Sequence, residues 1–188
     1  MESYDHVVVG GGAMGAATAW QLASRGHSVA LVEQFDVAHT RGSSHGAARI
    51  FRLAYRNPLY SQLALRALAD WRELEAETDQ VLLEQIGQID HGDPAALAAI
   101  EAASPRPCQR LSREEATERW PGMRFAGEVL FSVDGGRCKA DDTVKALYRR
   151  VAELGGQVYT NLRVEDIEVS GGIATVATAE GTFRTRSV

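Results

Sequence analysis

An apolar run that ends in a glycine-rich turn constrains this chain more than any other feature. Val7-Val8-Val9 lead into Gly10-Gly11-Gly12-Ala13-Met14-Gly15, and after a helix-forming stretch Val29-Ala30-Leu31-Val32 end in Glu33. The order reads as strand, GxGxxG turn, helix and second strand with an acid at its tip. Gly10 permits the tight turn, Gly12 removes a Cβ so that backbone can approach a diphosphate, and Gly15 lets the helix lie close to the sheet. The helix N-terminus offers free N–H groups and the positive end of its dipole to phosphates. Glu33 follows Gly15 by 18 residues, where a carboxylate can accept ribose hydroxyl protons and would repel a 2′-phosphate, against NADP. A glycine turn alone is common, but strand, helix and acid in register predict an adenine dinucleotide site.

Length and charge narrow the classes. A chain of 188 residues can bury a real core. With 20 Lys and Arg against 25 Asp and Glu, the net charge of −5 leaves no basic footprint for nucleic acid or an anionic membrane. Cys108 and Cys138 are the two cysteines, and they have neither metal-ligand spacing nor a disulfide framework. They read as reduced thiols of a cytoplasmic protein without a bound metal. No signal peptide is expected before the first strand, and no apolar run approaches the ~20 residues that cross a bilayer.

The pattern of elements is α/β at both ends with a different middle. Residues 13–25 read as a helix closed by Gly26, and 36–46 as a Gly, Ser, Thr and His loop. Leu63, Ala67, Trp71 and Leu74 recur at helical steps in a long helix from Pro58 to about Thr78. Residues 81–91 look extended. Asp93 caps a short alanine-rich helix, and Ser112 with Glu115 makes a capping box for another. A strand is expected at 128–133, then a helix capped by Asp141 that carries Val144, Leu147, Tyr148, Val151 and Leu154 on one stripe. Short strands follow at 157–160, 163–169, 173–179 and 182–188. The last of these reads as a strand entering a core, which suggests a longer polypeptide; a short edge strand at a true C-terminus is the alternative.

A second constellation is Gly42-Ser43-Ser44-His45-Gly46-Ala47-Ala48-Arg49-Ile50-Phe51-Arg52. If helical, Arg49 and Arg52 share a face; if extended, which the bulky residues favour slightly, they point to opposite sides. Two guanidinium groups beside a dinucleotide turn suggest recognition of a carboxylate or phosphate. An ordinary pair of surface arginines fits the spacing equally. His6, His27 and His91 are isolated and read as structural, and Glu114-Glu115 and Asp141-Asp142 as helix N-terminal charges.

The stretch from Tyr4 to Tyr55 resembles the monomeric sarcosine oxidase and N-methyltryptophan oxidase family of FAD-dependent amine oxidases, within the D-amino-acid-oxidase-like superfamily. The motifs are VVVGGGAMG at 7–15, LVEQFD at 31–36 and HTRGSSHGAARIFRLAY at 39–55. Similarity continues through LALRALADWRELE at 63–75, RWPG at 119–122 and GGQVYTNLRVEDIEV at 155–169. It covers nearly the whole chain but only about the first half of a typical family member.

The resemblance implies a Rossmann-like FAD-binding domain with part of an α+β substrate domain, in a truncated chain. The expected division is 1–80 for the first part of the FAD-binding domain, 81–136 for substrate-domain sequence and 137–188 for the continuation. It implies FAD diphosphate on Gly10, Gly12, Ala13, Met14 and Gly15, with Glu33 on the adenosine ribose. Gly42, Ser43 and Ser44 would run beside the diphosphate and ribityl chain, and Val164 would line the adenine pocket through its backbone. His45 and Arg49 would lie close to the isoalloxazine, with Arg52 on the substrate carboxylate. Family members often carry His where this chain has Ser44 and Asp-Thr where it has Ala47-Ala48. The covalent flavin-linking Cys and the catalytic lysines of the family match no position here.

Three functions follow. The first is oxidation of an N-methylated or cyclic secondary amino acid with O2 to imine and H2O2, seen in its N-terminal portion and inactive alone. The second is a noncatalytic FAD-binding chain that needs a second chain, or self-association, to complete the site. The third, an NAD-dependent dehydrogenase, has no need of the GSSHGAAR loop.

Overall fold

The computed structural model describes residues 1–188. In chain order the elements are β1 (Glu2–Val9), α1 (Ala13–Ser24), β2 (Val29–Val32), β3 (Arg49–Phe51), α2 (Pro58–Thr78), β4 (Leu83–Glu84), β5 (Gln88–His91) and α3 (Pro94–Ala103). They continue with β6 (Gln109–Leu111), α4 (Arg113–Arg119), β7 (Val129–Ser132), β8 (Gly136–Cys138), α5 (Ala140–Glu153) and β9 (Gln157–Tyr159). A meander of β10 (Val164–Ser170), β11 (Ile173–Thr178) and β12 (Gly181–Ser187) ends the chain. These elements form two compact units, Met1–Ala47 with Lys139–Val188, and Ala48–Cys138. No helix is long and apolar enough to cross a membrane.

The first unit is built on a six-stranded sheet in the order β10-β11-β12-β1-β2-β9. β12, β1, β2 and β9 run parallel, and β10 to β12 alternate in direction. All four residues of β2 are buried, as the uninterrupted apolar run of a parallel strand covered on both faces requires. Ala30 and Val32 pack with Val7, Leu162, Val176 and Phe183 on one face. Helices α1 and α5 pack on each other, and the buried stripe of α5 includes Val144, Leu147, Tyr148 and Val151.

The turn between β1 and α1 is possible only for glycine. Gly10 has φ +96°, and a Cβ on Gly15 would lie 1.8 Å from the Gly10 carbonyl oxygen. The first turn of α1 therefore rests directly on strand-end backbone, and both atoms in that collision belong to rigid elements.

The second unit holds two antiparallel three-stranded sheets, β3-β8-β4 and β5-β7-β6. Asn57 caps α2 by accepting the Leu59 N–H, Asp93 caps α3, and Ser112 with Glu115 forms the complete capping box of α4. Phe51, Leu53 and Leu83 pack with Ala64, Leu65, Leu68 and Trp71 from α2.

Four expectations need correction or refinement. The expected limit at 81 falls inside the second unit, where α2 packs on Phe51 and Leu83 through Ala64, Leu65, Leu68 and Trp71, while Leu63 of the expected stripe is exposed. The extended stretch 81–91 is two strands broken at Gly87, whose φ is +90°. Asp141 is not the cap of α5; that helix begins at Ala140 with Lys139 as N-cap. β12 is not the edge strand of the alternative reading, since β1 and β11 pair with it on both sides.

Substitution Gly15→Ala should destabilise the fold by about 1–3 kcal/mol, the scale of overpacking against atoms that cannot retreat. Gly12→Ala should cost only on the order of 0.5–1 kcal/mol, the loss of a glycine N-cap, because its φ is −66° and an added Cβ meets only the Ser44 side chain, at 3.2 Å. Urea midpoints of the two variants measure the difference, and equal midpoints would contradict the close helix–turn approach.

Candidate functional site

In the first unit a cavity of about 240 Å³ opens on the glycine turn, lined among others by Gly11, Gly12, Glu33, Gly42, Ser43 and Ser44. Gly12 is the N-cap of α1 and has no side chain with which to cap it. Ser44 supplies the missing acceptor: Ala13 donates its N–H to Ser44 Oγ at 3.0 Å. The loop that carries Ser44 is fixed at its far end. Gly46 donates its N–H to Asp141 Oδ1 at 2.7 Å, and Asp141 returns its own N–H to the Gly46 carbonyl at 3.2 Å. His45 turns back on the same loop, with Nδ1 2.6 Å from the Gly42 carbonyl oxygen.

Glu33 is only 5% exposed, and its carboxylate is held by backbone. Gly11 donates to Oε2 at 2.7 Å and Phe35 to Oε1 at 3.0 Å. A carboxylate has about four acceptor positions; besides these two bonds His39 Nε2 lies 3.5 Å from Oε1, which leaves acceptor capacity chiefly on Oε2 for a hydroxyl donor. Glu33 also borders a second cavity of about 270 Å³, lined by Val9, Gly10, Val32, Leu162 and Val164 among others. Tyr148 closes in from α5 so tightly that a Cβ on Gly11 would lie 1.5 Å from its hydroxyl oxygen. Burial, and then the Glu33 charge, push the Tyr148 phenol above its usual range, so it stays neutral.

The expected residues therefore divide. Gly12, Glu33, Gly42, Ser43 and Ser44 share the first cavity, and Gly10 and Val164 the second. Ala13, Met14 and Gly15 line neither cavity: the Ala13 N–H is taken by Ser44, Gly15 packs on the turn, and Met14 is 84% exposed. Arg49 and Arg52 belong to the second unit. Arg49 lies in β3 opposite Cys138 and donates Nη1–H to the Ala48 carbonyl at 2.8 Å. Arg52 follows the strand, with its guanidinium 5.7 Å from the centre of the Tyr55 ring. It lines a cavity of about 460 Å³ with Tyr55, Tyr60, Asp90 and His91 among others. Tyr55 is itself clamped by the buried Ser61, whose hydroxyl accepts the Tyr55 N–H at 3.1 Å.

Sequence reasoning missed Gly11, Tyr148 and the loop-holding role of Asp141. A third glycine between two motif glycines was a visible signal for Gly11; Tyr148 and Asp141 lie far along the chain and gave none.

Comparison with known proteins agrees with this geometry. A family model described as FAD dependent oxidoreductase matches residues 5–188. The monomeric sarcosine oxidase of Bacillus sp. (strain NS-129) is 36% identical over 190 residues, covering 96% of this chain and 49% of that protein. The N-methyl-L-tryptophan oxidase of Yersinia pestis (strain Pestoides F) is 29% identical, covering 98% of this chain and 52% of its own. Among solved structures, NikD, an unusual amino acid oxidase essential for nikkomycin biosynthesis, superposes with a TM-score of 0.86 at 30% identity. That match covers 99% of this chain and 50% of NikD. The chain spans about half the length of the curated relatives it matches.

The Glu33 geometry has a consequence independent of any ligand. Glu33→Ala strips the acceptor from the buried Gly11 N–H and should destabilise the FAD-free chain by ~1–3 kcal/mol. Glu33→Gln, which keeps one oxygen acceptor, should lose less. Urea unfolding without added FAD tests this; an unchanged midpoint for the alanine variant would show that the bond contributes nothing to the fold.

Proposed function

This chain belongs to the FAD-dependent oxidoreductase family, and from that premise we propose that it is the N-terminal portion of an oxidase of N-methylated or cyclic secondary amino acids. The observation that carries the reading is the cavity shared by the glycine turn, Glu33 and the Gly42-Ser43-Ser44 loop. Its backbone-lined floor suits a diphosphate, and a carboxylate already oriented by two N–H groups suits ribose hydroxyls. In this reading Gly10, Gly12, Ala13, Met14 and Gly15 hold the diphosphate with Ser43 and Ser44. Glu33 takes the ribose, and Val164 borders the adenine. The FAD-binding part is then 1–47 with 139–188, and the substrate side lies in 48–138, which shifts the sequence-based limits.

Bound FAD supplies two-electron oxidation of an amine C–N bond to an imine, with O2 as the final acceptor and H2O2 as product. The residues of this chain bind and orient. Arg52 grips the substrate carboxylate with a planar pair of N–H donors, which Lys cannot reproduce. Ser61 and Tyr55 keep that guanidinium in place. Arg49 and His45 would lie close to the flavin ring, where the Arg49 guanidinium would favour the anionic reduced flavin. A second reading, a noncatalytic FAD-binding chain completed by another polypeptide, draws support from the half-length match to the curated relatives. The nicotinamide alternative falls with the family assignment.

Purified chain reconstituted with FAD should keep a flavin absorbance spectrum through dialysis, and Gly12→Val should lose it. Gly12 suits this test because its φ of −66° is open to any residue and an added Cβ meets only the Ser44 side chain. A urea midpoint measured beside the spectrum separates a filled cradle from a lost fold. Full flavin retention by the variant would sink the assignment. The chain alone should release no H2O2 from sarcosine, and turnover by its monomer would refute the reading as a portion of the enzyme.

In a longer polypeptide that contains this segment, Arg52→Lys should lower kcat/KM for amino acids by about 2–3 kcal/mol, a charge-assisted pair. Amines without the carboxylate should be nearly unaffected. Equal losses for both substrate types would remove Arg52 from the carboxylate.

A further inference from the structure

The segment between β2 and the Gly42-Ser43-Ser44 loop contains a charged group, Arg41, to which neither the glycine turn nor the family resemblance assigns a role. Phe35, His39 and Arg41 all line the 240 Å³ cavity beside Gly11, Gly12 and Ser44. The Arg41 guanidinium lies over the Phe35 ring, 4.5 Å from its centre. The ring of His39 meets Phe35 edge-on, with centroids 4.8 Å apart. His39 Nδ1 accepts the backbone N–H of Arg41 at 3.0 Å. A backbone N–H can only donate, so Nδ1 carries no proton and the ring proton sits on Nε2. That nitrogen faces Glu33 Oε1 at 3.5 Å. His39 thus spans from the acid at the tip of β2 to the backbone of Arg41 and fixes where the arginine leaves the loop.

We propose that Arg41 is a diphosphate-binding residue of this site and that His39 is the positioning residue that holds it there. The proposal rests on the dinucleotide reading above. A diphosphate at the glycine turn carries full negative charge close to the Glu33 carboxylate, and the end of a helix dipole offers only about half an elementary charge against it. A guanidinium on the wall of the same cavity offsets that repulsion and can grip two phosphate oxygens at once. A cation–π contact with Phe35 uses the charge of the guanidinium and consumes none of its N–H donors, which stay available for oxygens.

ADP and adenosine separate this role from the rest of the site, since they share the ribose and base and differ in the diphosphate. Isothermal titration of the wild-type chain with both ligands sets the reference. Arg41→Gln should weaken ADP by about tenfold or more, the scale of a charge-assisted contact, and leave adenosine unchanged. The deficit should shrink in high salt. His39→Ala should reproduce the loss, whereas His39→Asn should restore ADP binding, because an asparagine oxygen also accepts the N–H two residues on. Nitrogen NMR of the wild type should show His39 protonated at Nε2 alone. Equal effects of Arg41→Gln on both ligands, or none on either, would remove Arg41 from the diphosphate. An asparagine variant as weak as the alanine one would remove His39 as its anchor. A wild-type chain that binds neither ADP nor FAD would overturn the dinucleotide reading, and this proposal with it.

Discussion

The hydrogen bond from Gly11 to Glu33 ties together the parts on which the first unit depends. It joins the turn after β1 to the tip of β2 across the parallel pair, and both groups are buried. Neither group could be left alone in that place, since a buried N–H or carboxylate without a partner costs several times what a satisfied one contributes. The bond exists because Gly10 turns the chain at positive φ and Gly15 admits α1 onto the turn. It is kept from water by Tyr148 of α5, which closes on Gly11. One acid thus has two tasks, to complete the turn and to leave acceptor positions facing the cavity.

That double use explains what the sequence could and could not say. The strand, turn, helix and acid were legible because each is written in adjacent residues: the apolar run of β2, the glycine spacing, the carboxylate at the end. The capping box of α4 was legible for the same reason, as both of its bonds lie within four residues. Glu33 was expected to face ribose hydroxyls alone, and its bonds to Gly11 and Phe35 were not foreseen. A motif gives the residue type at a position and not the partners that reach it through the fold.

Other misses share this cause. Asp141 has the composition and place of a helix cap, yet its carboxylate crosses to Gly46, 95 residues earlier. Locally the two roles look the same. The strands β3, β6 and β8 have three residues each, too few for alternation to declare them. The second compact unit begins at Ala48, whereas the sequence suggested a change of domain at 81. The apolar stripe of α2 announces a buried face, but nothing in it names the sheet that will bury it.

The loop from Gly42 to Gly46 supplies what the bare glycine turn lacks. Glycine at the N-cap of α1 keeps the backbone open to a ligand, but it cannot accept the first N–H groups of its own helix. Ser44 performs that task from 31 residues beyond Ala13, and a hydroxyl is small enough to do so without filling the cavity it borders. The helix cap has in effect moved onto the loop. Order in the loop and order at the helix N-terminus are therefore one property, secured at the other end by the paired bonds between Gly46 and Asp141. A ligand anchored on that helix end meets a wall whose position is already set by α5, and so the glycine turn can be both bare and rigid.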